Sequence, residues 1–355
     1  MKFLKCSISE VPELKKGSIA IVGAGPAGLA AAGYLACKGY SVTVYDQMPE
    51  PGGLLLFGIP EYRVPKAGIR KAIKELEESG VVFKTRTLVY ANSPQQDYPS
   101  YIIKQITSTL EFESLIRDYD AVLLATGAWK PRSLGIPGEN LEGVYKAFYW
   151  LIGFNLVRQG YISEQELPPV NGVLLVIGGG HTAVDALEVP LKYYGTRITR
   201  AYLSYRRTRY QAPMGVEEFE RLIKTYHVEP LELTIPIRFE GTRHVEKVVL
   251  QKTKLVESQG KLKPVPVPGT EFSLDVDVVL IAVGEKPSPP LHHTMYGIEV
   301  DNGWVKLVKG HQTTNPKVFA AGDLVLGPSR IGYALQEGVK AAEEIHNYLS
   351  RGRLD

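Results

Sequence analysis

The stretch IAIVGAGPAGLAAAGYLACKGYSVTVYD, residues 19–46, decides the fold of this chain. Its apolar, β-branched start at residues 19–22 predicts a strand, the glycine-rich turn after it leads into a helix-forming run, and Ser41–Tyr45 predicts a second strand. Asp46 stands at the end of that strand. Strand, glycine turn, helix, strand and terminal acid form the complete pattern of a dinucleotide-binding fold.

The glycines of this turn each have a physical role in nucleotide binding. Gly23 permits the tight turn out of the strand, Gly25 lets a pyrophosphate approach the backbone without meeting a Cβ, and Gly28 lets the helix pack closely on the strand. The helix that opens with Pro26 and Ala27 directs its N-terminal amides at the phosphates. A glycine turn that binds nothing is the alternative, against which the complete pattern argues.

The acid at the tip of the second strand completes this first site. Asp46 follows the glycines by about 20 residues, where a carboxylate accepts hydrogen bonds from ribose hydroxyls. We expect its neighbour Gln47 at the same site.

A second glycine loop, GGGHTA at residues 178–183, follows another apolar, β-branched run. We expect Gly178 and Gly180 to shape this loop and His181 and Thr182 to open the next helix, so that its amides face a second nucleotide. Two dinucleotide sites on one chain indicate a flavoprotein, in which hydride passes between a resident FAD and a visiting nicotinamide.

The strand that follows the second loop ends in Arg206-Arg207-Thr208-Arg209, with no acid at its tip. A guanidinium group matches phosphate oxygens bidentately and stays charged at any working pH. We therefore predict that Arg206 and Arg207 bind the 2′-phosphate of NADPH, with NADH as the alternative. A solvated basic surface, or a patch for an acidic protein partner, is the other interpretation.

Further motifs make the chain resemble the two-dinucleotide-binding-domain flavoprotein reductases. The matching stretches are GAGPAG at residues 23–28, PGGLLLFGIP at 51–60, ATGA at 125–128, GGGHTAVDA at 178–186, YRRTR at 205–209 and TTNPKVFAAGD at 313–323. Within that group the chain is most similar to the small (β) subunit of NADPH-dependent glutamate synthase, because GGLLLFGIP and YRRTR are particular to that branch.

The resemblance implies roles for residues along the whole chain. Gly52, Gly53 and Leu54 would lie along the FAD pyrophosphate and flavin, and Asp323 would bond the ribityl chain. A helix that begins near Tyr333 and Ala334 would point its positive end at flavin N1, where reduced flavin carries negative charge. Further positions expected at the cofactors or at the domain crossings are Arg63, Thr126, Gly127, Ala128, Gly284 and Gly322.

The resemblance also implies an α/β architecture of two Rossmann-like domains. Residues 1–134 and 285–355 would form a discontinuous FAD-binding domain, with the NAD(P)H-binding domain, 135–284, inserted in it. Two adjacent crossings predict a hinge. The proline-rich stretches at 264–268 and 287–290 are interpreted as turns or linkers.

Cysteine content limits the redox chemistry. Cys6 and Cys37 are the only cysteines, too few for an iron–sulfur cluster and without the CxxC pair of a thioredoxin reductase. We expect Cys37 in the core and Cys6 without a partner. Glutamate synthase small subunits carry an iron–sulfur domain before the first glycine loop, and we expect none here, so electrons would leave FAD for a partner protein, a small molecule or oxygen.

Composition narrows the function classes. The chain has 355 residues and a net charge of +3, too mild to indicate nucleic acid. We expect no signal peptide, since its first residues lack a basic, apolar signal, and it has no apolar run of the ~18 residues that a membrane span needs. We expect a cytoplasmic protein without a metal site, whose partners are NAD(P)H and an electron-acceptor protein, either ferredoxin or a partner subunit. Its oligomeric state is left open.

Three functions are therefore weighed. The first is an FAD-dependent NAD(P)H oxidoreductase for an acceptor such as ferredoxin, and the second is the electron-input subunit of a heteromeric, glutamate-synthase-like complex. The third is a non-catalytic, flavoprotein-like subunit, against which the YRRTR motif argues. Direct hydride transfer needs orientation and electrostatics rather than an acid or base, so we name no catalytic side chain.

Overall fold

The computed structural model describes residues 2–13, 16–93, 97–291 and 293–351. The chain divides into two compact units. Unit 1 consists of Met1–Lys130 and Glu285–Asp355, and unit 2 is Pro131–Gly284. Unit 1 is thus discontinuous, and the first boundary follows Lys130 instead of the expected residue 134.

The strands and helices are numbered in chain order. The strands are β1 (Ser18–Val22), β2 (Ser41–Tyr45), β3 (Val82–Lys84), β4 (Thr87–Tyr90), β5 (Ser108–Glu111), β6 (Ala121–Leu124), β7 (Lys130–Pro131), β8 (Val144–Lys146), β9 (Gly172–Gly178), β10 (Ile198–Tyr205), β11 (Glu229–Glu232), β12 (Thr234–Glu240), β13 (Lys247–Ser258), β14 (Lys261–Pro266), β15 (Phe272–Asp275), β16 (Val278–Ala282), β17 (Glu285–Lys286), β18 (Val300–Asp301), β19 (Trp304–Val305), β20 (Leu307–Lys309), β21 (Gln312–Thr313) and β22 (Val318–Ala320). The helices are α1 (Pro26–Cys37), α2 (Leu54–Phe57), α3 (Lys66–Glu78), α4 (Ser100–Ile103), α5 (Phe112–Asp118), α6 (Ala147–Arg158), α7 (His181–Tyr193), α8 (Val216–Tyr226), α9 (Asp323–Leu326) and α10 (Ile331–Arg351).

Unit 1 is built on a seven-stranded sheet in the order β20-β21-β22-β6-β1-β2-β3. The strands from β22 to β3 run parallel, and β20 and β21 extend the sheet antiparallel at one edge. Strands β2 and β3 lie on one side of β1, and β6, β22, β21 and β20 lie on the other, so the strand order reverses at β1. In open α/β sheets such a reversal opens a crevice for ligands at the carboxyl ends of the strands.

Helix α1 is apolar around its whole circumference, which is typical of a helix that is enclosed on several sides, and most of its residues are buried. A Cβ on Gly338 of α10 would come within 2.1 Å of the carbonyl oxygen of Ala27, so α10 lies directly against the start of α1. The beginning of α1 is therefore held between the sheet and the longest helix of unit 1. Among the described residues, no helix is long and apolar enough to cross a membrane.

Unit 2 contains a five-stranded parallel sheet in the order β11-β10-β9-β16-β8. The strand β9 lies between β10 and β16, which makes a second reversal point. A separate antiparallel sheet joins β12, β13, β14 and β15, and no sequence pattern predicted this sheet. The interpretation of residues 264–268 as a turn was partly wrong, because Lys261–Pro266 forms β14 at the sheet edge, where proline is tolerated.

The expectation that Cys37 lies in the core and Cys6 has no partner was wrong. Cys6 and Cys37 form a disulfide, with their Cα atoms 5.9 Å apart, and both residues are half-buried rather than core. The pairing follows from how the N-terminal segment packs, since Phe3 is fully buried and its carbonyl oxygen would lie 2.2 Å from a Cβ on Gly33 of α1. That contact brings Cys6 to the C-terminal end of α1.

Candidate nucleotide-binding sites

The first glycine loop joins β1 to α1, and its glycines are required for different reasons. Gly23 has φ 105°, and a Cβ there would come 2.3 Å from the carbonyl oxygen of Ala125. A Cβ on Gly28 would come 1.9 Å from the carbonyl oxygen of Gly23, whereas one on Gly25 would meet nothing within 4 Å. Packing therefore excludes side chains at Gly23 and Gly28, but open space lies at Gly25, beside the helix N-terminus that begins at Pro26.

Asp46 is buried at the tip of β2 and holds the loop in place. Its Oδ2 accepts a hydrogen bond of 2.6 Å from the amide of Ala24, and its Oδ1 accepts one of 2.8 Å from the amide of Met48. Burial raises the pKa of the carboxyl to about 6, against the lowering effect of these two amides. Each carboxylate oxygen has a second lone pair, so the group can still accept a ribose hydroxyl.

Gln47, next to Asp46, serves its surroundings in another way. It is half-buried, and its side chain hydrogen-bonds Tyr98, while burial raises the pKa of that phenol. The ring of Tyr98 in turn lies 6.5 Å from that of Trp129. Gln47 thus anchors Tyr98 near Asp46, at the tip of β2.

The segment Gly52-Gly53 lies directly on the first glycine loop. The amide of Gly52 donates a hydrogen bond of 2.8 Å to the carbonyl oxygen of Ala24. Gly53 has φ 51°, and a Cβ there would come 2.7 Å from the Cα of Gly25. Leu54 then begins α2. The structure therefore brings these residues to the open space at Gly25.

The turn after β6 borders the same loop. Thr126 donates its hydroxyl to the carbonyl oxygen of Ser288 at 2.7 Å, and the amide of Ser288 donates to the carbonyl oxygen of Gly127 at 3.1 Å. Gly127 has φ 72°, which favours glycine, and Ala128 is buried. These contacts tie the turn to the second segment of unit 1.

The second segment of unit 1 places Asp323 near α1. Gly322 has φ 73°, and a Cβ on it would come 2.8 Å from the Cβ of Ala27. Oδ1 of Asp323 accepts a hydrogen bond of 2.5 Å from the hydroxyl of Ser329. Burial is the larger effect on Asp323 and raises its pKa.

Helix α10 begins at Ile331, close to the expected start. The amides of Tyr333 and Ala334 donate to the carbonyl oxygen of Arg330 at 3.0 and 3.2 Å. Tyr333 is 54% exposed and Ala334 is buried, so only the second is enclosed by the protein. Arg63 is an exposed residue in the turn after α2.

The second glycine loop resembles the first, because two of its glycines are closed by packing and one faces open space. A Cβ on Gly178 would come 2.2 Å from the carbonyl oxygen of Ala282, and one on Gly179 would come 2.3 Å from the ring of Tyr205. A Cβ on Gly180 would meet nothing within 4 Å. The open position again lies just before a helix. Sequence reasoning missed Gly179, because its neighbour comes from β10 rather than from the loop.

The helix after this loop is α7, and His181 and Thr182 form its first turn. His181 is exposed and Thr182 is half-buried. Helix N-termini favour phosphate through their amides and dipole. Gly284, at the other end of unit 2, has φ 96° and accepts a 2.9 Å hydrogen bond from the amide of Arg132.

The arginines after β10 differ in their partners. Arg206 is exposed and Arg207 is half-buried, and within the described part of the chain neither guanidinium forms an ion pair. The Nε of Arg207 is buried without a hydrogen-bond partner among the described residues. Arg209, by contrast, pairs with Glu220 and Glu232. Two cationic side chains are thus left beside the second glycine loop.

Comparisons with known proteins show what the chain is similar to. A family model described as pyridine nucleotide-disulphide oxidoreductase matches residues 17–338. The glutamate synthase (NADPH) small chain of Halomonas elongata is 34% identical over 345 residues, which cover 93% of this chain and 68% of that protein. The β subunit of an NADP(+)-dependent formate dehydrogenase from Moorella thermoacetica is 34% identical over 342 residues, which cover 94% of this chain and 44% of that protein.

Curated relatives of this chain extend beyond the matched region. The match covers 50% of one relative from Escherichia coli and 51% of an NADPH-Fe(3+) oxidoreductase subunit β from Geobacter sulfurreducens. The chain therefore spans about half to two thirds of the length of most of these proteins.

Solved structures share the fold. Mycobacterium tuberculosis FprA in complex with NADPH has a TM-score of 0.77 at 21% identity, covering 95% of this chain and 85% of that chain. Lactococcus lactis thioredoxin reductase has a TM-score of 0.65 at 21% identity, covering 94% and 99%. At this level of identity the likeness establishes the two-domain α/β architecture.

Proposed function

The chain belongs to the pyridine nucleotide-disulphide oxidoreductase family, and on that premise we propose that it passes hydride between NADPH and FAD and delivers electrons from FAD to a separate acceptor. It is an oxidoreductase, and its cofactors are FAD and NADPH. The proposal concerns which unit holds which cofactor, which residues do so, and where the electrons go.

The residues at the strand tips differ between the two units, and this difference supports assigning one cofactor to each unit. In unit 1 the tip of β2 bears the acid Asp46, which suits an unphosphorylated ribose such as that of FAD. In unit 2 the tip of β10 leads into Arg206 and Arg207, whose guanidinium groups are without ion pairs among the described residues and suit a 2′-phosphate. We therefore assign FAD to unit 1 and NADPH to unit 2.

The glycine loops support this fit by their shape. The positions of Gly25 and Gly180 are open to a Cβ, while the glycines around them are closed by packing. A cradle with free space in front of a helix N-terminus is what a pyrophosphate needs. Both units therefore fit a dinucleotide at the same place, the carboxyl end of the first strand of each glycine loop.

The chain contributes orientation and electrostatics to the reaction. When bound, FAD would supply the ring that accepts hydride from NADPH. The N-terminal ends of α1 and α7 would hold the two pyrophosphates, and Asp46 would fix one ribose. The positive end of α10 would favour the negative charge that develops on reduction. No side chain has to move a proton in direct hydride transfer, so none is assigned as catalytic.

The acceptor is proposed to be a protein, either a ferredoxin-type electron carrier or a partner subunit. The subunit alternative is favoured by the names of several relatives, which are a glutamate synthase small chain, a formate dehydrogenase subunit β and an NADPH-Fe(3+) oxidoreductase subunit β. In that case the chain would act as the electron-input subunit.

An anaerobic titration tests the proposal. The purified protein should carry flavin absorption, NADPH should bleach it, and addition of an acceptor should restore it. A panel of ferredoxin, quinone, dye and oxygen, with any co-purified subunit as a further acceptor, ranks the acceptors. Failure of NADPH to bleach a flavin that dithionite does reduce would overturn the proposal.

A further inference from the structure

Arg209, the last arginine of YRRTR, is occupied by two glutamates. Its Nε and Nη2 donate to Oε1 of Glu232 at 2.8 and 2.5 Å, and its Nη1 donates to Oε1 of Glu220. Its backbone amide donates to Oε2 of Glu232 at 2.6 Å. The guanidinium also lies 5.3 Å from the ring centre of Phe219. All three guanidinium nitrogens therefore have partners within the protein.

Glu232 stands beside the proposed 2′-phosphate site. It ends β11, and its register partner on the neighbouring strand is Tyr205, the residue before Arg206. The next amide, that of Leu233, donates to the carbonyl oxygen of Arg207 at 3.2 Å. In a dinucleotide fold the acid that binds the ribose diol stands at the tip of the strand after the glycine-loop helix, which is β10 here, whereas Glu232 stands at the tip of the adjacent β11. An unpaired carboxylate at this place would repel a 2′-phosphate held by Arg206 and Arg207.

Glu220 adds a second negative charge from α8. The side chains of Glu220 and Glu232 are 31% and 22% exposed, and that of Arg209 is 24% exposed. Partial burial weakens solvent screening, so the charges act on their neighbours. Lys224 lies 3.8 Å from Glu220 but is 75% exposed and contributes little. Arg209 is thus the main cation that offsets the two glutamates.

We propose that Arg209 determines the selectivity of this site for NADPH by masking Glu232 and Glu220, rather than by binding the 2′-phosphate. It is a positioning residue that acts through the charge of Glu232 and through the turn that carries Arg206 and Arg207. The inference rests on the proposed function, because it needs NADPH in unit 2.

The test compares Arg209→Met, Glu232→Gln and the double variant. Methionine keeps an unbranched apolar side chain beside Phe219 but removes the charge. In Arg209→Met, the ratio of kcat/KM for NADPH to kcat/KM for NADH should fall on the order of tenfold, which corresponds to about 1.4 kcal/mol. Glu232→Gln in that background should restore the ratio to within about threefold of the wild type, because the unmasked charge is gone.

Two control variants make the comparison specific. Arg238→Met removes an exposed ion pair of the same unit, between Arg238 Nε and Glu240 Oε1 at 2.7 Å, and should leave the ratio unchanged. Arg209→Lys keeps a positive charge beside Glu232 and should retain most of the preference. It also keeps the test decisive if Arg209→Met fails to fold.

The outcomes separate this inference from the proposed function. If Glu232→Gln does not restore the ratio in Arg209→Met, or if Arg209→Lys loses the preference as fully as a neutral residue, masking is wrong and Arg209 binds phosphate or only supports the turn. If wild-type protein prefers NADH, the proposed function fails instead, whatever these variants do. A wild type that prefers NADPH with an unchanged ratio in Arg209→Met overturns the inference alone.

Discussion

Asp46 at the tip of β2 accepts a 2.6 Å hydrogen bond from the amide of Ala24 in the first glycine loop. One acid thus fixes the loop that would hold a pyrophosphate and offers its remaining lone pairs to a ribose. The cost is the burial of a charge, which raises the pKa of this carboxyl to about 6. The site is built at some expense of stability in the absence of its ligand.

The buried acid predicts a pH dependence for the FAD-free protein. Between about pH 4 and pH 6 the native protein holds a proton at Asp46 that the unfolded chain has released, so the free energy of unfolding falls as the pH rises. The change should be on the order of 1–3 kcal/mol. Urea denaturation of the wild type and of Asp46→Asn across this range measures it. Equal pH slopes for the two proteins would contradict the assignment.

Gly25 and Gly28 should respond differently to substitution. Gly25→Val should fold normally, since its Cβ meets nothing within 4 Å, but should lose FAD because the side chain fills the space of the pyrophosphate. Gly28→Ala should lower thermal stability, because its Cβ would lie 1.9 Å from a carbonyl oxygen. Flavin content and melting temperature distinguish the two. Gly68→Val, at another open position, is the control and should keep FAD.

The second loop should separate flavin binding from nucleotide use. Gly180→Val should remain yellow and be reduced by dithionite, yet be bleached slowly by NADPH, because the change lies at the proposed NADPH phosphate. Gly195→Val also occupies open space in unit 2 and should behave as the wild type. Loss of flavin from Gly180→Val would show that the second loop does not hold the nicotinamide nucleotide.

Local signals in the sequence predicted the elements around the first glycine loop. The glycine turn with its flanking apolar runs gave β1, α1 and β2 nearly to the residue, because each depends on neighbours in the chain. The antiparallel sheet of β12 to β15 was missed, since its long-range strand pairing leaves a weak local signal. The ion pairs of Arg209 were missed for a similar reason, because its partners Glu220 and Glu232 come from α8 and β11.

The disulfide was missed for the same reason, because two cysteines in a sequence do not reveal whether they meet in the fold. Cys37 ends α1, whose 12 residues span about 18 Å, so the bond lies at the far end of that helix from the first glycine loop. We predict that it stabilises unit 1 without carrying electrons.

Removing the disulfide tests this prediction. The double variant Cys6→Ser with Cys37→Ser should lose roughly 3–4 kcal/mol of stability at most, from the entropy of the loop that the bond closes. Its rate of flavin reduction by NADPH should match that of the wild type. Thermal unfolding and anaerobic mixing provide the two readouts. Appearance of free thiols when NADPH is added to the wild type would contradict a purely structural bond.

The central claim is that NADPH binds unit 2 through Arg206 and Arg207 and delivers hydride to FAD. The most direct measurement is anaerobic rapid mixing of NADPH and of NADH with wild-type protein and with the double variant Arg206→Ala, Arg207→Ala, following flavin absorption. Each charge-assisted contact contributes roughly 1.5–3 kcal/mol. The variant should therefore bind NADPH at least about tenfold more weakly per arginine, while NADH reduces both proteins alike. A wild type that prefers NADH, or a variant that loses both nucleotides equally, would contradict the account.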